Sequence, residues 1–144
     1  MTDFSIKGQA LALDLGEKRI GVAVSDPTRT IAKSLTIINR KSRKEDYERI
    51  ARLITEQQAN LLVVGLPIPL SGVEGEKAAW VRNYTAELQQ HITIPVKFWD
   101  EAMTTVQAYD SMRQRGKRAK QAKGRIDAVA AAFILQSYLD GHRD

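Results

Sequence analysis

Three acidic positions, Asp14, Asp100-Glu101 and Asp127, lie where elements begin or end, and Lys123 stands close before the last of them. Residues 9–13 are apolar after Gln9 on both alternating faces, as in a strand covered above and below, and Asp14 closes that run. A carboxylate so placed must be paired, protonated or bound to a cation. Asp100-Glu101 ends a later strand-like run, and Asp127 falls in the first turn of a final helical segment. In parallel α/β sheets, groups at the carboxyl ends of central strands converge on one crevice, which predicts that Asp14 and Glu101 meet. Carboxylates gathered this way repel one another unless cations neutralise them, and Mg²⁺ or Mn²⁺ suits an all-oxygen site. Two such ions about 4 Å apart can activate a water and stabilise the leaving oxygen in phosphodiester hydrolysis. Lys123 lies four residues before Asp127, so a helix that includes both sets its ammonium on the same face, within reach of a substrate phosphate. Each residue also has a plainer reading. Asp-x-Gly is a common turn former, an aspartate in a first helical turn is favoured by the helix dipole, and Lys123 with Asp127 could be an ordinary surface pair.

The rest of the composition narrows the chemistry. The 144 residues contain no cysteine, which removes thiolate metal sites and a cysteine nucleophile. His91 and His142 are far apart and neither has a partner at metal-ligand spacing, so both are expected to be solvated rather than catalytic. Twenty-two Lys and Arg against seventeen Asp and Glu give a formal charge of +5, which favours a polyanionic partner. That charge is uneven. Between Arg113 and Arg125, seven of thirteen residues are basic and none is acidic, a pattern that predicts a basic loop. Arg113, Arg115, Lys117, Arg118, Lys120 and Lys123 are the expected nucleic-acid contacts. No apolar run approaches the roughly 20 residues of a membrane span, and the first residues do not resemble a signal peptide, so a cytoplasmic protein without a membrane partner is expected.

The elements that must position these groups are legible as patterns. Short β-rich runs at residues 9–14, 19–25 and 30–38, divided by a glycine turn and by Asp26-Pro27, predict a three-strand meander. A helical stripe over 42–58 carries Tyr47, Ile50, Ala51, Leu53 and Ile54, with Ser42 as its cap. Leu61 to Leu66 reads as a buried parallel strand ended by Pro67 and Pro69. A helix follows over 74–90, with Ala78, Ala79, Val81, Tyr84, Thr85 and Leu88 inward, and then a strand over 94–99. Helices over 104–115 and 124–139 complete the order. Trp80 and Trp99 fall within these patterned elements and are expected in the core. The chain is of single-domain size, and the order β-β-β-α-β-α-β-α-α predicts one α/β domain over residues 1–144, a five-stranded mixed sheet flanked by helices.

Four segments then carry a resemblance. The run from Leu13 to Asp26, Val63-Val64-Gly65-Leu66-Pro67 with Gly72 and Gly75, Asp100-Glu101 with Thr104-Thr105 and Ala108, and Lys123-Gly124-Arg125-Ile126-Asp127-Ala128-Val129-Ala130-Ala131 occur in that order. Together they resemble the YqgF, or RuvX, group of Holliday junction resolvase-like proteins, described as pre-16S rRNA nucleases. The resemblance implies an RNase H-like fold, with Asp14, Glu101 and Asp127 as an acidic triad that holds Mg²⁺ or Mn²⁺. It also implies structured nucleic acid as substrate: precursor rRNA cut in 5′-end maturation of 16S rRNA, or branched DNA in the resolvase alternative. A resolvase cuts two symmetric strands and so calls for a homodimer, whereas an rRNA nuclease can be a monomer. Two residues depart from the pattern. The family commonly has Arg where this chain has Ala102, and Asn where it has Pro69, so a nucleic-acid-binding module without catalysis is the rival from another class.

Overall fold

A computed structural model describes residues 7–69, 71–101 and 126–142. The expected meander is present: β1 (Gln9–Leu15), β2 (Arg19–Ser25) and β3 (Ala32–Asn39) pair antiparallel in sequence. Helix α1 (Arg43–Glu56) leads to β4 (Ala59–Leu66), and α2 (Glu76–Leu88) to β5 (Val96–Asp100). Both later strands join in parallel, giving one mixed sheet in the order β3-β2-β1-β4-β5. Helix α3 (Ile126–Gly141) follows. The helix expected over 104–115 and the basic loop, with Arg113, Arg115, Lys117, Arg118, Lys120 and Lys123, lie outside the described residues.

Strand alternation divides the core between the two faces of the sheet. Leu11, Leu13, Leu15, Val22, Leu62 and Val64 point to one face, where they are covered by Tyr47 and Ile50 of α1 and by Val81, Tyr84 and Leu88 of α2. Ala10, Ala12, Ala23, Leu61 and Val63 point to the other, where Ala131, Ala132 and Leu135 of α3 pack on them. Alanine facing alanine lets α3 lie close to β1 and β2, so this face is built from small side chains. Trp80 and Trp99 pack against these clusters, one on each face, without being fully buried.

Local chemistry explains the boundaries. Ser42 caps α1 by accepting the Glu45 N–H at 3.1 Å. Buried Gln136 of α3 accepts the Ala32 N–H at 2.9 Å and donates to the Thr30 carbonyl at 3.1 Å, satisfying the start of edge strand β3. Two details depart from the sequence pattern. Ala79 is exposed, because the buried line of α2 runs through Ala78, Val81, Thr85 and Leu88, which leaves residue 79 off the face. The inner side of α1 holds a carboxylate, Asp46, with no exposed surface.

Candidate active site

Asp14 is the penultimate residue of β1. Leu13 and Leu15 face α1 and α2, so alternation turns Asp14 to the α3 face. Its strand neighbours on that row are small. Gly21 of β2 is its register partner, and Gly65 of β4 follows the Leu13–Val64 pair on the other side. Gly65 in turn pairs with Trp99 of β5, and Glu101 follows two residues on, on the same face.

Glu101 lies over the bare backbone of Gly65. A Cβ at residue 65 would come 2.9 Å from Glu101 Oε1 and 2.6 Å from Ile134 Cδ1, too close for either to stay in place. The open space lets the Glu101 carboxyl reach Asp14, with which it shares a hydrogen bond. Burial first, and then the Asp14 carboxylate, push Glu101 up to about 6; Lys77, in the first turn of α2, pulls the other way. Two carboxyl groups in contact, one of them holding its proton more firmly than usual, form an oxygen donor set whose charge a divalent cation would balance. In this respect the residues present fit the ion.

The β1–β2 turn beside Asp14 is held from the opposite face of the sheet. Gly16 donates to the Arg19 carbonyl at 3.0 Å, and a Cβ on Gly16 would stand 2.6 Å from that oxygen. Arg40, just beyond β3, donates from Nη1 to the carbonyls of Gly16 at 3.2 Å and Glu17 at 3.0 Å. Its Nε pairs with Asp46 at 3.2 Å, and its guanidinium lies 5.0 Å from the Trp80 ring centre and 5.2 Å from that of Tyr84. Asp46 also accepts from the Lys41 N–H and the Tyr84 hydroxyl. Burial, and then the Asp46 charge, hold that hydroxyl far above the usual tyrosine range. One arginine thus ties the turn after Asp14 to both α1 and α2.

On the other flank, the loop after β4 turns through Pro69, whose carbonyl accepts the Gly72 N–H at 2.8 Å, with Gly72 at φ +78°. Glu74 then forks onto Arg82 of α2 at 2.6 and 2.9 Å. At this position the carbonyl that closes the turn is supplied by the backbone of Pro69, whatever its side chain.

Asp14 and Glu101 are therefore brought together as expected. Asp127 occupies the first turn of α3; its side chain, Lys123 and Ala102 lie outside the described residues. Among the described residues, no group of three or more His, Asp or Glu side chains could hold a metal ion. His91 and His142 are both exposed, and His142 stacks on Tyr138 with ring centres 4.0 Å apart. Three contributors were not read as site residues from the sequence: Gly65, named only within a motif, Lys77 and the Arg40–Asp46 clamp. A glycine inside a fully apolar strand is a signal of close approach, so Gly65 could have been found; the other two carry no pattern.

Known proteins place the chain among relatives. Residues 8–141 match the family described as RuvX, Holliday junction resolvase. The chain belongs to the RuvX family. A relative from Roseiflexus sp., named "Putative pre-16S rRNA nuclease", is 46% identical over 136 residues, covering 94% of this chain and 96% of that protein. A second of the same name from Thermoanaerobacter pseudethanolicus is 41% identical, covering 93% and 97%. Among solved structures, Thermus thermophilus RuvC in complex with a Holliday junction substrate superposes with a TM-score of 0.63 at 14% identity, over 93% of this chain and 96% of that one. Fowlpox virus resolvase in complex with Holliday junction DNA gives 0.57 at 14%, over 92% and 97%. At such identities the likeness is one of fold, and the fold is the RNase H-like one that the sequence motifs imply. No helix among the described residues is long and apolar enough to cross a membrane.

Proposed function

We propose that this RuvX protein is a divalent-metal-dependent nuclease of the cytoplasm, a single domain that hydrolyses a phosphodiester bond of precursor 16S rRNA in the maturation of its 5′ end. The observation that carries the proposal is the contact between the Asp14 and Glu101 carboxyl groups over Gly65. Such a pair is costly in isolation and suits a cation, and the names of the full-length relatives favour rRNA over branched DNA.

Asp14 and Glu101 would hold Mg²⁺ or Mn²⁺ with Asp127. The chemistry such an ion would supply there is activation of a water and stabilisation of the leaving oxygen. The chain's own residues prepare that arrangement. Glu101 keeps a proton up to about pH 6 and must release it for the pair to act as two anionic ligands. Arg40 fixes the turn that follows Asp14, and Gly65 keeps the floor between the two carboxyl groups clear. Lys123 would contact a substrate phosphate, and Arg113, Arg115, Lys117, Arg118 and Lys120 would guide the backbone.

The test sets a 5′-extended 16S precursor RNA beside a four-way DNA junction, each incubated with the protein or its Asp14→Asn variant in Mn²⁺, Mg²⁺ or EDTA. The expected result is RNA cleavage that needs a metal and is lost in the variant. Cleavage of the junction alone would make the protein a resolvase. Binding of either substrate by both proteins without cleavage would leave a nucleic-acid-binding module.

A further inference from the structure

The charge expected to meet nucleic acid falls in the 113–125 segment, yet the fold assembles a second basic surface from two places distant in sequence. The β1–β2 turn carries Lys18 and Arg19, and the β3–α1 junction carries Lys41 and Lys44; all four are exposed. Strand pairing joins the two segments, since Arg19 is the register partner of Asn39 at the end of β3. Backbone and side chain then lock them. Arg40 donates its N–H to the Lys18 carbonyl at 2.8 Å, and its guanidinium takes the carbonyls of Gly16 and Glu17 while resting on Trp80 and Tyr84. The cations therefore sit on a rigid ridge and not on two independent loops.

Charge accounting on this ridge leaves an excess of cation. Arg40 is neutralised by Asp46, and Arg43 by Glu87 at 2.7 Å. Glu17 and Glu45 are the remaining carboxylates of the two segments, against Lys18, Lys41 and Lys44. Lys18, Lys41 and Lys44 make no ion pair with a described residue, so their charge is available to a partner. Position gives the charge its meaning. Lys18 is four residues beyond Asp14, which bounds their Cα separation at about 14 Å. At the axial spacing of a helical strand that bound is no more than about four nucleotides.

We propose that this ridge, at the β2–β3 side of the carboxyl pair, is a phosphate-backbone contact surface for the nucleic-acid strand, in addition to the basic loop. The inference rests on the nuclease reading above and extends it by fixing which way the strand leaves the site: over the β1–β2 turn toward the N-terminus of α1. Contacts of this kind are made to phosphates, so they position the substrate without selecting its sequence.

The experiment measures binding of a fluorescent mixed-sequence RNA hairpin in EDTA across a salt series. It compares the unaltered protein with Lys18→Gln/Lys41→Gln/Lys44→Gln and with the charge-matched control Lys33→Gln/Arg52→Gln/Lys97→Gln, whose residues are exposed and lie outside the ridge. All substitutions are on exposed side chains, so each variant is expected to fold, and circular dichroism verifies it. Each lost phosphate contact lowers the slope of log K against log salt by about 0.7 to 0.9. The expected result is a slope reduced by about two for the ridge variant, with binding at low salt at least tenfold weaker, and little change for the control. Equal slopes for ridge variant and control would overturn the ridge while leaving the nuclease reading intact. Failure of the unaltered protein to bind the hairpin would overturn both.

Discussion

Glu101 is a carboxyl group whose ordinary value of 4.5 has been raised to about 6 by burial and by Asp14, and the sign of that shift has consequences that can be measured. Because the folded chain binds this proton more tightly than the unfolded one, the group contributes stability that is full below about 4.5 and is lost as pH rises through about 6. Asp14→Asn removes the largest cause after burial, and leaves burial and the smaller push from Asp100. Carbon-detected NMR titration should show Glu101 moving down in this variant while staying above its ordinary value; an unmoved Glu101 would mean that the two groups do not interact. Gly65→Ala tests the floor of the site. The added methyl would stand 2.6 Å from Ile134 Cδ1 and 2.9 Å from Glu101 Oε1. We expect a loss of about 1–3 kcal/mol in urea denaturation together with weaker Mn²⁺ binding by titration calorimetry. Unimpaired Mn²⁺ affinity would show that the carboxyl pair does not depend on the gap.

At the scale of elements, the helices and strands follow from periodicity, and the site does so only in part. The meander, the buried β4 and the apolar α3 are visible because alternating or continuous apolar runs have few other solutions. Asp14 and Glu101 are visible because a carboxylate at the end of such a run is conspicuous. Arg40 and Asp46 are not: either would pass for a surface charge, and only the packing of α1 and α2 reveals that Asp46 is enclosed and that Arg40 spans from it to the β1–β2 turn. Ala79 shows the reverse error, an apolar side chain that the pattern places inside and the helix rotation places outside. Gln136 belongs with the hidden contributors, since one amide on a mostly apolar helix closes the start of the edge strand β3. Gln136→Leu leaves the Ala32 N–H and the Thr30 carbonyl without that partner. We predict a cost of about 1–3 kcal/mol, with hydrogen exchange accelerated at Ala32 well beyond that at β1. Uniform acceleration across the sheet would place the loss in the packing of α3 instead.

For the molecule as a whole, the mixed sheet sets an order of assembly. The antiparallel strands β1 to β3 are neighbours in sequence, whereas β4 and β5 join only by parallel crossovers that close long loops. Asp14 thus belongs to the part of the chain that can pair locally and leave a ribosome first, and Glu101 directly follows β5, the later of the two parallel strands. We expect the two carboxylates to meet only after the folding barrier, so that their repulsion burdens the native state and spares the path that leads to it. In stopped-flow experiments at pH 8 without divalent ions, Glu101→Gln should slow unfolding and leave the folding rate unchanged; faster folding would mean that the pair forms before the barrier. A chain built in this order brings Asp14 and Glu101 together only after β5 has been made, and a truncated product that ends before β5 carries Asp14 without the carboxyl group that it meets in the folded sheet.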